Sequence, residues 1–488
     1  MLVTRNMSPM RSLLGPALAV LVSCGGGEGG ASTPPVVADA GSKPDAAPPS
    51  ALFEQLSISE IAVYQTVKID VMKDGATVDP LNAPIVTAKK GILRAWVSPK
   101  PKKAWRARVL DAELHLSNSA GEQVLIDHET IGGASDDDVL ASTFDFPFDA
   151  GTLTPETRYE LWVRDPKLVA SGGDQLGALR FPTGTAATES LGVSPNPGPL
   201  KVMIVPVNYK GWLPDTSPTQ LDRYRAELLD LYPAATVELS VRAPMVSETL
   251  DWGEVLLQVA QTRSVDAPAV DVYYVGAFVP GATLTDYLKN GALAGLAWMS
   301  SMSCVILGYA GSESVTALAH ELGHDMGRAH APCGNPGGVD QLYPYDGAAL
   351  GVNGWSTSLQ QLVPESESDI MSYCQPTWVS DYTYAALDAH IRAMYAQKDA
   401  VGSVTPERFR RIWIDANGAM RDGGIVLESS PGGALTAVNV QANGGSKVVK
   451  GFYYPLDHLP GGYVLVPADV GATEIRLPAI TKSVLALR

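Results

Sequence analysis

Three histidines crowd into one short stretch of the sequence, and this cluster limits the local fold more than any other feature. The chain of 488 residues has only seven histidines, yet His320, His324 and His330 fall within one eleven-residue segment. From 315 to 326 apolar residues recur every three or four positions, which predicts a helix with one buried face. At about 100° per residue, His320 and His324 lie together on the opposite face, one turn apart.

The same stretch supplies the other parts of a metal site. Two imidazoles one helical turn apart can reach one Zn²⁺, and Glu321 projects beside them, where it can accept a proton from water instead of binding the metal. Gly327 can adopt a positive φ that ends the helix and brings His330 back as a third ligand. Three histidines with an open coordination position are typical of a catalytic zinc site.

These five residues together form the pattern HExxHxxGxxH. The pattern resembles the zinc-binding signature of the metzincin metalloendopeptidases, with all five fixed positions matched. The resemblance implies an α/β catalytic domain, a zinc cofactor and hydrolysis of peptide bonds. Several metzincin subfamilies have aspartate, serine, glutamate or proline after the third histidine, whereas this chain has Ala331, so the subfamily stays unassigned.

A second segment strengthens the resemblance. Residues 369–374, with the sequence DIMSYC, are similar to the metzincin Met-turn. The resemblance implies that Met371 forms a hydrophobic floor beneath the three imidazoles. It also implies that Tyr373 binds zinc in the resting enzyme and donates a hydrogen bond to the tetrahedral intermediate during turnover. The resemblance covers roughly residues 200–398.

The cysteines follow the same two motifs. Cys333 comes shortly after the third histidine and Cys374 directly after the Met-turn, so we expect a disulfide between them in an exported protein. Cys304 is then left over. We interpret it as a small buried hydrophobic residue in a strand, with a redox role as the less favoured alternative.

The N-terminus predicts export and lipid attachment. Residues 1–23 contain two arginines and a short apolar stretch, and the segment ending at Cys24 resembles a bacterial lipobox, with an ordinary signal peptide as the alternative. Residues 24–50 are rich in Gly, Ala, Pro and Ser and predict a disordered tether. By the same resemblance Gly25 favours the outer membrane or the cell surface, so we expect a lipid-anchored protein of the bacterial cell envelope.

The remaining chain predicts three domains. Residues 51–185 show short strands separated by turns, which favour an immunoglobulin-like β-sandwich. In residues 200–400 strands alternate with helices, which predicts the α/β metzincin-like domain. Residues 405–488 return to strands and predict a small C-terminal β-domain. The sequence gives no role to the histidines in the two β-domains.

The net charge of the chain limits which classes of binding partner are expected. The formal net charge of -16 disfavours nucleic acid, because a phosphate backbone would be repelled. We expect a zinc endopeptidase acting on extracellular proteins or glycoproteins. The alternative is a surface adhesin or glycan-binding lipoprotein that keeps an inactive protease-like scaffold. The sequence leaves the natural substrate and the oligomeric state open.

Overall fold

Two antiparallel sheets form the first part of the molecule. The computed structural model describes residues 51–101, 105–172, 177–183, 187–289, 293–400, 406–428, 431–442 and 444–487, which belong to one compact unit. The predicted signal peptide, tether and lipidated Cys24 lie outside these residues. The elements of the first part are α1 (Leu52–Gln55), β1 (Leu56–Lys73), β2 (Ala76–Thr77), β3 (Ile85–Val86), β4 (Gly91–Pro99), β5 (Arg108–Asn118), β6 (Gly121–Ile131), β7 (Phe144–Phe148), β8 (Arg158–Arg164), α2 (Pro166–Gly172), β9 (Ala178–Phe181), β10 (Glu189–Ser190) and β11 (Val193–Ser194).

Alternating side chains explain these sheets. In β5 every second residue from Leu110 to Leu116 is buried and the residues between them are more exposed, which is the pattern of a strand with one face on a core. One sheet has the order β10, β8, β5, β6, with β9 also on β8. The other contains β1, β4 and β7, in which β4 lies between the other two. Apolar side chains of the two sheets belong to one core cluster.

The central part is built on a mostly parallel sheet. Its order is β13, β12, β15, β17, β16, and only the short edge strand β16 runs antiparallel to its neighbour. Its elements are β12 (Leu200–Tyr209), α3 (Pro218–Leu231), β13 (Val237–Val241), β14 (Met245–Ser247), α4 (Trp252–Asp266), β15 (Val272–Phe278), α5 (Leu284–Leu288), β16 (Gly295–Ala297), β17 (Ser303–Leu307), α6 (Ser312–Asp325), β18 (Gly354–Ser356), β19 (Gln361–Val363), β20 (Ser368–Asp369), β21 (Thr377–Trp378) and α7 (Asp381–Ala400).

Local chemistry fixes where the helices of this part begin. The Ser217 side chain accepts a hydrogen bond from the Gln220 amide, and Pro218 occupies the first turn of α3. Asp251 caps α4 by accepting from the Glu254 amide. Both α4 and α6 pack against β17. The metal-site helix therefore lies on the sheet, one strand from the edge strand β16.

The last part is a single antiparallel sheet with the order β23, β22, β26, β25, β24, β27, β28. Aromatic residues of this sheet, including Phe409 and Tyr463, share a core cluster with Trp298 and α4 of the central part. The described chain is thus mostly β-sheet with several packed sheets, and none of its described helices is both long and apolar enough to cross a membrane. The strands of this part are β22 (Glu407–Ile414), β23 (Met420–Glu428), β24 (Ala434–Ala442), β25 (Gly445–Pro455), β26 (Gly462–Pro467), β27 (Ala472–Arg476) and β28 (Val484–Ala486).

The stretch between His330 and Met371 connects the central part to the first part. Within it β18 and β19 form a hairpin, and β18 pairs with β1. The central part therefore adds two strands to the sheet that contains β1, β4 and β7. Trp355 pairs with Thr66 of β1 and is buried. The Trp378 indole N–H also donates to the Thr66 carbonyl at 2.9 Å. The two parts are therefore joined by backbone pairing as well as by side-chain packing.

Candidate metal centre

The helix α6 carries His320 and His324, the first two histidines of the motif, and is buried along nearly its whole length. Its residues from Ala317 to Asp325 are all buried, because the sheet covers one side and the segments after the helix cover the other. The helix ends at Asp325, and Gly327 follows with φ +80°. The Arg328 amide then donates to the Gly323 carbonyl at 2.9 Å, which turns the chain back toward the helix and brings His330 beside His324.

The three imidazoles point one nitrogen each at a common point. The Nε2 of His324 lies 3.0 Å from the Nε2 of His320 and 3.2 Å from the Nε2 of His330. Each Nδ1 faces a backbone carbonyl oxygen at 2.6 Å, on Ile370, Arg328 and Gly337 in the order His320, His324, His330. A carbonyl oxygen only accepts, so each Nδ1 carries the proton and donates it.

This arrangement fits a divalent metal ion. With the proton on Nδ1, every Nε2 presents a lone pair, and lone pairs 3.0 Å apart repel each other unless a cation lies between them. Tetrahedral ligands at ordinary metal–nitrogen distances are about 3.3 Å apart, close to the spacing found here. Burial lowers the pKa of His320 to about 3 and that of His330 to about 4, so these imidazoles are neutral and free to bind metal.

Glu321 lies beside the cluster with its carboxyl group buried. Burial raises its pKa to about 8. The Glu321 side chain also packs tightly against β16, because a Cβ atom on Gly295 of that strand would lie 2.4 Å from the Glu321 Oε1. A cation bound by the imidazoles would favour the carboxylate and lower this pKa. Glu321 is therefore held close to the metal position, where it can act as a base.

The segment around Met371 forms the other wall. A Cβ atom on Gly323 would lie 2.4 Å from the Met371 Sδ, so the sulfur packs directly on the helix between the two histidines. Asp369 fixes this turn, since its buried carboxylate accepts from the Met371 amide at 2.8 Å and from the Ser380 hydroxyl at 2.6 Å. This turn also places the Ile370 carbonyl oxygen where it accepts a hydrogen bond from the Nδ1 of His320.

The expected disulfide is confirmed. Cys333 and Cys374 are bonded, with their Cα atoms 5.6 Å apart. Backbone hydrogen bonds accompany it, because the Ala331 amide donates to the Met371 carbonyl and the Tyr373 amide donates to the Cys333 carbonyl. The third histidine and the Met371 turn are therefore held as one unit. Cys304 is buried and free, as expected of a small hydrophobic residue in a strand.

No known protein family matches the chain. No curated protein of similar sequence is found either. The chemistry of the site is therefore the basis for assigning a function.

Two further residues reach the metal centre from the C-terminal sheet. Asp457 and His458 follow β25, and nitrogens of His458 and of the three central histidines lie within 4.8 Å of one another. His458 Nε2 lies 3.3 Å from the Glu321 Oε1, and Tyr373 forms a hydrogen bond with His458 Nδ1 through its hydroxyl. Sequence reasoning missed both residues, because no local pattern in a turn between strands indicates a contact 137 positions away.

Proposed function

We propose that the chain is a zinc-dependent endopeptidase of metzincin type that hydrolyses peptide bonds in extracellular proteins or glycoproteins. One observation carries the proposal: three neutral imidazoles converge on a point beside a buried carboxyl group. Three histidine ligands leave a coordination position open, as catalytic zinc sites do and structural sites do not. His320, His324 and His330 would hold the ion.

The protein's own groups divide the work of hydrolysis. A zinc ion held by these three histidines would supply Lewis acidity for polarising a carbonyl group and acidifying water. Glu321 then takes the proton from the attacking water and delivers it to the leaving amine, which is general base followed by general acid catalysis. The contact with Gly295 limits the positions open to the carboxyl group, so its oxygen stays oriented for that transfer.

Tyr373 would assist at the carbonyl oxygen. Its ring lies against His330, with ring centroids 5.0 Å apart, and 43% of the residue's surface is exposed. Burial of the hydroxyl raises the pKa of Tyr373, so the group keeps its proton and can donate it as a hydrogen bond. A donor at this position stabilises negative charge that develops on the carbonyl oxygen.

The surroundings of the site support the proposal. The mostly parallel sheet with one antiparallel edge strand next to the metal-site helix agrees with an α/β catalytic domain of the metzincin kind. The two packed antiparallel sheets before it agree with an immunoglobulin-like domain. We propose that this front domain and the C-terminal sheet present the site at the cell surface.

The test is Glu321→Gln in the full chain. The variant removes the base but keeps the three imidazoles, so we expect cleavage of casein or a glycoprotein to fall by about 10²–10⁴-fold with zinc content unchanged. Glu313→Gln on the same helix is the matched control and should keep full activity. Full activity in the Glu321 variant would refute the mechanism. A wild-type protein that cleaves nothing but binds glycoproteins would favour the adhesin alternative.

The proposed envelope location has its own test. We expect the full chain, expressed in a bacterium fed with labelled palmitate, to carry the label at Cys24 and to fractionate with membranes. Cys24→Ser should lose the label and appear in the soluble fraction. Equal labelling of the variant would contradict lipidation at this position.

A further inference from the structure

The segment after β25 lies along the open edge of the central sheet. The Met299 amide donates to the Pro455 carbonyl at 2.9 Å, and Trp298 and Leu456 form an antiparallel bridge. The Asp457 amide then donates to the Ala297 carbonyl at 3.2 Å. The chain thus pairs antiparallel with residues 297–299, at the end of β16. This is the geometry by which an extended peptide binds an exposed sheet edge.

Side-chain contacts hold this segment in place. The side chain of Asp457 is fully buried, and its Oδ1 accepts from the Ala297 amide at 3.1 Å. Next to it, Trp298 packs against Trp413 and Tyr463 of the C-terminal sheet, with ring centroids 5.4 and 5.2 Å apart. The segment is therefore bound both by backbone pairing and by an aromatic cluster.

His458 resembles the three central histidines in that its Nδ1 also bonds an oxygen. In each of those, Nδ1 bonds an oxygen outside the cluster and Nε2 faces inward. In His458 the Nδ1 bonds the Tyr373 hydroxyl, and Nε2 lies 3.0 Å from the Asp457 Oδ2, which is itself 3.5 Å from the Nε2 of His324. The ring of His458 also stacks on that of His320, with an angle of 13° between the planes. One ring nitrogen from each of the four histidines lies within 4.8 Å of the others, so all four could hold one metal ion.

The position of His458 matters for the reaction. Its Nε2 lies 3.3 Å from the Glu321 Oε1. A water molecule that Glu321 deprotonates would have to lie at a similar distance from this oxygen, so His458 occupies the place of that water. The segment carrying it pairs with the end of β16 at Ala297, and Gly295 of the same strand lies against Glu321. A substrate strand laid along that edge would need the same hydrogen-bonding groups. One segment of the chain therefore fills both the water position and a binding edge for peptide.

We propose that His458 is a fourth metal ligand and that residues 455–458 close the site by occupying the place of a peptide substrate. The closure rests on the proposed peptidase function, whereas the ligand assignment does not. In this state the metal has four imidazole ligands and no open position. Hydrolysis then requires residues 455–458 to leave the edge of β16, and the substrate peptide competes with them for it.

The ligand assignment is tested by counting imidazoles in the zinc-loaded full chain with X-ray absorption at the zinc edge. We expect four imidazoles in the wild type and three in His458→Ala. His128→Ala is the matched control, because His128 pairs with Asp111 on an exposed strand of the first part and should leave the count at four. His458→Phe keeps an aromatic ring at the position and serves if the alanine variant does not fold. An equal count in the wild type and the His458 variants would overturn the assignment.

The closure is tested by titrating acetohydroxamate, which binds zinc directly, into the same proteins. If His458 occupies the fourth position nine-tenths of the time, its removal should tighten acetohydroxamate binding by about tenfold. Casein cleavage by His458→Ala should rise by a similar factor. A fall in the imidazole count with unchanged acetohydroxamate affinity, or with lower cleavage, would overturn the closure. If neither protein cleaves any substrate, the peptidase proposal fails, while the imidazole count and the acetohydroxamate affinity still decide this inference.

Discussion

The metal centre depends on how tightly individual atoms pack around it. The Nδ1 hydrogen bonds of the three central histidines fix which nitrogen faces the candidate metal position, so the orientation of these rings is set by backbone carbonyls and not by flexible side chains. Gly323 and Gly295 are equally important, because each lets a neighbouring side chain approach where a methyl group would collide. The chain has glycine where Met371 and Glu321 need space.

Gly295→Ala should disturb the base without removing a ligand. The new Cβ would lie 2.4 Å from the Glu321 Oε1, and relieving such an overlap costs about 1–3 kcal/mol. We expect kcat for peptide hydrolysis to fall by roughly tenfold or more, with zinc content unchanged. The control is Gly133→Ala, since a Cβ there meets no atom within 4 Å. An unchanged kcat would show that Glu321 can move aside without loss.

At the scale of elements, the sequence predicts what is local. The helix α6, the turn at Gly327 and the Cys333–Cys374 disulfide follow from patterns within a few tens of residues, because helical periodicity and motif spacing act over that range. The hairpin of β18 and β19 could not be predicted in this way. Each strand has three residues, too few for a pattern, and β18 becomes a strand by pairing with β1.

The disulfide should stabilise this element by restricting the unfolded chain. It closes a loop of 41 positions, for which the loss of chain entropy amounts to about 4 kcal/mol, less any strain. We expect Cys333→Ser/Cys374→Ser to lower the free energy of unfolding by about 2–4 kcal/mol in guanidinium titrations of the metal-free protein. Reducing agent should weaken the wild type to the same level and leave the variant unaffected. A variant as stable as the oxidised wild type would contradict this role.

At the scale of the whole molecule, a bound metal ion would connect the motif of residues 320–330 with His458, which lies 137 positions after Glu321. The helix α6, the segment with His330 and the turn after β25 all meet at one point. An ion that binds only the folded state stabilises it by about 4 kcal/mol when its free concentration is a thousand times its Kd. We expect 1,10-phenanthroline to lower the thermal unfolding temperature, and added Zn²⁺ to restore it.

The control for this measurement is a protein that cannot bind the ion. His320→Ala/His324→Ala should unfold at the same temperature with and without the chelator. If the wild type were equally insensitive, the cluster would not contribute to stability through a metal.

The contribution of Asp457 and His458 is the part of the site that the sequence could not reveal. The three-histidine motif is contiguous, whereas these two residues reach Glu321 only because the C-terminal sheet packs on the edge of the central sheet. That packing depends on the aromatic cluster of Trp298, Trp413 and Tyr463, whose members are ordinary core residues when considered singly. Contacts between sheets are a property of the assembled molecule.

The pairing of β1 with β18 has a consequence for the order in which the chain becomes structured. Thr66 in β1 receives its hydrogen bond from Trp378, 312 positions later. Until that later stretch has left the ribosome and crossed any membrane on its route, Thr66 and Val67 of β1 lack their pairing with β18. Unpaired backbone groups in a strand are a template for pairing with other chains, so a nascent molecule halted before β18 would be more prone to aggregate. Molecules truncated before residue 354 should therefore depend on chaperones that the finished chain does not need.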